Sequence, residues 1–185
     1  MADTAFPDLT GKTILQVIPE LAAGGAERTT LEVAEAIIEA GGHALVVSEG
    51  GRLVEPLEAM GGEHITMKAG SKNPLTILSN TGKLAELIKA RGVDLVHARS
   101  RAPGWSALWA ARRTGTPFVT TYHGAYSGRS ALKKVYNSVL ARGAVVIANS
   151  NWTAAPVREV HGTPPERHVT LPRAADSPAF LAPAF

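Results

Sequence analysis

Short runs of aliphatic and β-branched residues alternate along this chain with longer stretches of 3.6-residue periodicity. That alternation is the pattern of βαβ units built around a parallel sheet. Strands are expected at 13–18, 44–48, 65–69, 95–98, 118–122, 145–148 and 169–171, and helices at 26–40, 53–60, 73–90, 105–113, 130–142 and 152–160. The first helix shows the logic. Leu31, Ala34, Ile37 and Ile38 make one face, Arg28, Glu32, Glu35 and Glu39 make another, and Gly41-Gly42 ends it. Asn73-Pro74 opens the third helix, and Gly82 is the residue that weakens it. The expected class is α/β: a Rossmann-like, doubly wound, mainly parallel sheet of six to seven strands with helices on both faces. A chain of 185 residues is one domain, or one and a fraction.

Composition removes several function classes. No apolar run exceeds five residues, far below a membrane span. The opening MADTAFPDLTGK carries Asp3 and Asp8 and no basic-then-apolar run, so it does not read as a secretory leader, and a cytoplasmic chain is expected. With no cysteine there is no disulfide, thiolate metal site or cysteine nucleophile. The Asn151-Trp152-Thr153 sequon therefore carries little weight. The net charge of +3 hides an asymmetry: residues 1–90 hold 7 Lys+Arg and 12 Asp+Glu, residues 91–142 hold 9 and 1, and the remainder hold 3 and 3. A basic middle of this kind suits an anionic partner: phosphate, nucleic acid or a membrane surface.

Open parallel sheets bind ligands beyond the carboxyl ends of their strands. Four polar clusters follow expected strands: Gly24-Gly25-Ala26-Glu27-Arg28, His97-Ala98-Arg99-Ser100-Arg101, Tyr122-His123-Gly124-Ala125-Tyr126 and Asn149-Ser150-Asn151. Gly24-Gly25 stands where backbone amides approach a phosphate, and it reads equally as a plain tight turn. Neither G-x-G-x-x-G nor G-x-x-x-x-G-K-[ST] occurs, which removes dinucleotide oxidoreductases and P-loop enzymes. Histidine spacing offers no metal site, and no G-x-S-x-G elbow makes Ser100 or Ser150 a nucleophile. His123 is either a loop histidine or a donor to substrate. The stretch 130–142 puts Leu132, Val135, Tyr136, Val139 and Leu140 on one face, flanked by Arg129, Lys133, Lys134 and Arg142. Such a helix packs inward or rests on anionic lipid. Seven of ten aromatics lie in or near the basic segment, but mostly inside expected elements, so no nucleic-acid partner is expected.

Taken together, the clusters resemble the N-terminal domain of GT-B glycosyltransferases of the large retaining family 4. The resemblance runs from Thr13–Ile18 with Gly24-Gly25-Ala26-Glu27-Arg28, through Asp94-Leu95-Val96-His97-Ala98-Arg99 and Pro117–Gly124, to Val145–Ser150 and His168–Arg173. It implies two Rossmann-like domains facing across a cleft, the first mainly for the acceptor and the second for the nucleotide sugar. On that basis residues 1–173 are the GT-B N-terminal domain, 174–185 begin an interdomain linker, and the C-terminal nucleotide-sugar domain is absent. The family's donor-domain signature, a pair of glutamates seven residues apart, would lie downstream of Phe185.

The resemblance makes Gly24 and Gly25 the loop that approaches the donor diphosphate, with Arg28 beside them. It makes His123 the catalytic residue beside the transferred sugar, and Arg99, Arg101 and Tyr126 acceptor-side residues. The implied reaction moves a glycosyl group from a nucleotide sugar to a hydroxyl with retention. It needs no cofactor and no metal, and the 185-residue chain alone is expected to be inactive. With the basic middle, the resemblance points to an anionic acceptor, a cell-envelope glycolipid or polysaccharide as in lipopolysaccharide biosynthesis, reached in the cytoplasm by peripheral contact with the inner membrane. A cleft wall left uncovered would favour a homodimer. A non-catalytic nucleotide-binding or regulatory Rossmann-like module is the alternative. Where the family has Gly-Val-Asp after Pro172-Arg173, this chain has Ala174-Ala175-Asp176.

Overall fold

A computed structural model describes residues 7–124 and 130–171 of the protein. The expected linker, Tyr126, Arg129, Arg173 and Ala174-Ala175-Asp176 lie outside the described residues. In chain order the elements are β1 (Thr13–Val17), α1 (Gly25–Glu39), β2 (His43–Ser48), α2 (Val54–Ala59), β3 (Glu63–Thr66) and α3 (Pro74–Ala90). Then come β4 (Leu95–Ala98), α4 (Arg101–Thr114), β5 (Phe118–Tyr122), α5 (Ala131–Asn137), a 3₁₀ turn Ser138–Arg142, β6 (Val145–Ala148), α6 (Asn151–His161) and β7 (His168–Thr170). The seven strands form one sheet in the order β3-β2-β1-β4-β5-β6-β7, and every pairing is parallel. This is the Rossmann-like α/β fold the alternation predicts.

Parallel strands covered on both faces read as continuous apolar runs, and β1 and β2 do. Leu15, Val17, Leu45 and Val47 point to the face packed by α3 and α4, while Ala44 and Val46 point to the face packed by α1 and α2. In register, Leu15 lies between Leu45 and Val96, and Gln16 between Val46 and His97. Residues on β1 are thus enclosed by neighbours on both edges as well as both faces.

Three elements differ from the sequence expectation by more than a residue at an end. β3 begins at Glu63 and ends at Thr66, earlier than the expected 65–69. It is an edge strand, where one side faces water and charged residues such as Glu63, ion-paired with Arg91, replace the apolar run that would announce it. α4 begins at Arg101 rather than at 105, because Pro103 falls in the first turn, where an amide has no intrahelical partner to lose. Gly104 is buried there, and a Cβ on it would stand 3.1 Å from Val139. The stretch 130–142 is not one helix: Ser130 caps α5 by accepting from the Lys133 amide, and from Ser138 the chain tightens into a 3₁₀ turn.

The loops after β1 and β2 are laced by backbone bonds, Leu21 N to Gly50 O (2.9 Å) and Leu53 N to Leu21 O (2.9 Å). Gly51 permits this approach. Its φ is +142°, and a Cβ on it would come within 2.4 Å of the Leu21 carbonyl oxygen. Gly51→Ala is therefore expected to destabilise the protein by about 2 kcal/mol or more. Gly50→Ala, with positive φ but open space around it, is expected to lose only the roughly 1–2 kcal/mol of left-handed strain. Chemical unfolding of both variants checks the difference, and equal losses would remove the close approach as the cause.

Candidate functional site at the strand-order reversal

From β1 the chain winds outward through β2 to β3, and from β4 it winds the other way through β5 to β7. The crevice between β1 and β4, beyond their carboxyl ends, is where such sheets bind ligands. Gly24 is the N-cap residue of α1, in extended conformation at φ −74° and ψ 172°. The helical ladder begins with Arg28 N to Gly24 O (3.0 Å), so the first-turn amides of Gly25, Ala26 and Glu27 lie ahead of it. Gly24, Gly25 and Arg28 are exposed. The dipole end of α1 lies at this turn, with the Glu27 carboxylate against Gly24.

Beneath this turn lies a polar layer on the sheet face that α1 covers. Arg99 is only 1% exposed. Its amide continues the β4–β1 ladder by donating to Val17 O (3.0 Å), and its Nη1 donates to Gln16 Oε1 (3.1 Å). Gln16 Nε2 in turn donates to Thr30 O of α1 (3.0 Å). Arg99 therefore ties β4, β1 and α1 together from inside; its side chain is not on an open acceptor surface. The next strands add His97, whose Nε2 shares a 2.7 Å hydrogen bond with Thr121 Oγ1. Burial, first, and then the nearby Arg99 and His123 hold the His97 pKa well below the ordinary histidine value. His97 is neutral at pH 7, which leaves Arg99 as the fixed charge of the layer.

His123 follows the last residue of β5 and is half-buried. Its backbone is held by a relay. Asn149 Nδ2 donates to His123 O (3.2 Å), Thr153 Oγ1 donates to Asn149 Oδ1 (2.7 Å), and the Thr153 amide donates to Ser150 Oγ (3.1 Å) at the N-cap of α6. Thr29 and Val33 of α1 meet His97, Thr121, His123 and Asn149 around a cavity of about 90 Å³. That is well below the roughly 300–1,000 Å³ of ligand pockets, so this wall alone does not enclose a sugar nucleotide. None of the residues lining it is acidic. The wall offers an arginine, two histidines, the Thr29 and Thr121 hydroxyls and the Asn149 amide, a set suited to negative charge and hydroxyls.

Arg99 and His123 line one small cavity with Thr29 and Val33 of α1, Gly24, Gly25 and Arg28 stand exposed at the start of that helix, and Arg101 turns elsewhere. Arg101 Nη1 donates to Asn137 Oδ1 of α5 (2.8 Å), and its guanidinium stands 5.9 Å from the Tyr136 ring centroid. Tyr126 lies outside the described residues. Gln16 and Thr121 carry the site without having been singled out from sequence, and Asn149 belongs to a polar cluster to which the sequence reading assigns no role. Gln16 had a signal, a lone amide inside an apolar strand. Among the described residues no three of His, Cys, Asp and Glu stand close enough to hold a metal ion, and no helix is long and apolar enough to cross a membrane.

The sequence profile of Glycosyltransferase Family 4 matches residues 23–177. A glycosyltransferase from Rickettsia africae is similar at 39% identity and TM-score 0.78, over 92% of this chain and 47% of its own. The Anabaena protein HepE, solved in complex with UDP and glucose, is similar at 21% identity and TM-score 0.71, over 90% and 47%. MurG of Acinetobacter baumannii is similar at 21% identity and TM-score 0.59, over 76% and 42%. The latter two likenesses show the fold alone. The chain spans about half the length of the solved structures it matches. No curated protein matches it in sequence.

His97 generates a prediction about pH. Its folded pKa is depressed below the ordinary 6.5, so on acidification the unfolded chain takes up the proton first and stability falls. Burial lowers His64, His161 and His168 in the same direction. The thermal midpoint is expected to drop from about pH 7 to pH 5, the range over which a free histidine titrates. His97→Asn is expected to show a shallower slope by calorimetry, and an unchanged slope would remove His97 as the main contributor.

Proposed function

This chain belongs to glycosyltransferase family 4, and from that membership we propose that it forms the acceptor-side half of a retaining enzyme that moves a sugar from a nucleotide sugar to a hydroxyl. The observation that carries the reading is His123, held by the Asn149–Thr153–Ser150 relay at the end of β5, across a small cavity from Thr29 and Val33 of α1. As the bond from the anomeric carbon to the diphosphate lengthens, negative charge grows on the leaving oxygen. The start of α1 at Gly24-Gly25 stabilises it through the helix dipole, offset in part by the Glu27 carboxylate that lies against Gly24. Arg28 stands on the same turn and adds positive charge. His123 orients the sugar while positive character develops on its ring. Arg99 supplies the buried charge that biases the crevice toward an anion, and it acts as a positioning residue through Gln16.

HepE was solved with UDP and glucose, and with UDP-glucose, which supports a nucleotide sugar as donor for this chain as well. The donor is held mainly by a second half of the kind that fills out the matched structures. The acceptor is anionic and is met at the cytoplasmic side of a membrane. No cofactor takes part. Hexosyl specificity and a place in cell-envelope glycolipid synthesis are part of this proposal.

In the enzyme completed by its donor-binding half, His123→Ala is expected to lower kcat about 10²–10³-fold, the range for removing one transition-state donor. The expected circular dichroism is unchanged, and full activity in the variant would overturn the role of His123. Calorimetric titration of this chain alone with UDP, GDP, ADP and NAD is expected to show binding weaker than about 10 μM, roughly 7 kcal/mol. Tighter binding by any of them would favour a nucleotide-binding module instead, as would turnover of nothing by the completed enzyme.

A further inference from the structure

A groove between α3, α4 and α5 stands apart from the crevice at β1 and β4. Ile77, Trp105, Trp109, Leu132 and Val135 give it an apolar lining around about 340 Å³. Leu132 is 84% exposed and Val135 59%, while Val139 and Leu140, further along the same amphipathic stretch, are fully buried. The second half of that stretch is anchored in the core, and the first half holds its apolar side chains out into solvent. The walls are fixed in place. Trp105 Nε1 donates to Tyr136 O (3.2 Å), the Trp105 and Trp109 ring centroids are 5.5 Å apart, and the Arg142 guanidinium stands 5.4 Å from the Trp105 ring.

At Lys72 and Tyr136 this groove runs into a second pocket, of about 430 Å³, which adds Arg101, Lys133 and Asn137. Three cations line it and no acid does. The chain has no aspartate or glutamate between Asp94 and Glu159, so α4 and α5 carry no counter-charge of their own. A cationic end continuous with an exposed apolar trough is the complement of an amphiphile whose headgroup is negative. Tryptophan, tyrosine and lysine at its border suit a site that is apolar at one end and wet at the other. A second copy of this chain docking by the same face would set these cations against one another.

We infer that this groove binds an anionic lipid, with its headgroup oxygens on Lys72, Arg101 and Lys133 and an alkyl chain over Trp105, Trp109, Leu132 and Val135. That the lipid is the sugar acceptor rests on the transferase reading above; that it binds does not.

The three tryptophans make the test direct. Trp152 is exposed on α6 and does not line the groove, so Trp152→Phe leaves Trp105 and Trp109 as the emitters. This variant is titrated with vesicles of phosphatidylglycerol whose chains are brominated, with brominated phosphatidylcholine vesicles, and with inorganic phosphate. Emission is expected to fall by half or more with the anionic vesicles and to change little in the other two arms. Adding Leu132→Ser and Val135→Ser, both at exposed positions, is expected to weaken vesicle affinity at least tenfold with unchanged circular dichroism. Adding Lys72→Gln and Lys133→Gln instead is expected to abolish the preference for the anionic vesicles.

No quenching by the anionic vesicles, or equal quenching by the neutral ones, overturns the inference. So does vesicle affinity unchanged in both sets of variants. A response to inorganic phosphate without bromine quenching reduces the site to a small-anion pocket, and self-association that Leu132→Ser abolishes, without vesicle binding, assigns the face to a second copy; either result overturns it. Quenching reports binding alone. An inactive completed enzyme that still shows it would overturn the transferase reading and leave the groove standing, and an active one without it would do the reverse.

Discussion

β1 is the strand on which the rest of the structure depends, because it is paired on both edges and covered on both faces. Its ladders to β2 and β4 set the register of the sheet outward in two directions. The reversal of strand order at that place opens the crevice. A parallel strand so enclosed has no route to water for a polar side chain, so Gln16 must find its partners inside. It finds Arg99 on β4 and a carbonyl of α1. The same bonds that satisfy one buried amide therefore lock the helix whose Thr29 and Val33 line the site. Fold and site share this contact.

The basic segment divides in space into two regions with different physics. Arg99 is buried, tied to Gln16 and next to a histidine kept neutral by burial; its charge acts through a medium that screens little. Arg101, two residues on, turns to α5 and joins Lys72 and Lys133 at an open pocket, where salt screens the field and attraction depends on number and proximity. One region suits a fixed reacting anion, the other a headgroup arriving from solution or from a surface. Residues two apart serve the two because Arg99 still belongs to the β4 ladder, whereas Arg101 begins α4.

Much of this was legible from residue order. The alternation of periods located each described strand and α-helix, and the described residues of the four polar clusters end or follow strands, because a βαβ chain places its loops there. What sequence reading missed follows from burial and pairing. The start of β3 is hidden because an edge strand needs no apolar run, and the start of α4 because a proline in the first turn looks like a break and is not one. The inward direction of Arg99 is invisible in sequence, since an arginine after a strand reads as a loop cation unless its buried partner is known.

Periodicity and punctuation by themselves determined the class of fold, the order of elements and the rim on which function sits, because those depend on local backbone preference and on which positions must avoid water. The family resemblance added the chemistry expected at that rim. Only the tertiary structure decided that Gln16 joins Arg99, that Asn149 and Thr153 hold His123, and that Leu132 and Val135 stay exposed while Val139 and Leu140 do not. Each of those outcomes is a contact between residues distant in sequence, or the lack of one. No local pattern encodes which side chain will stand opposite another once seven parallel strands have been brought into register.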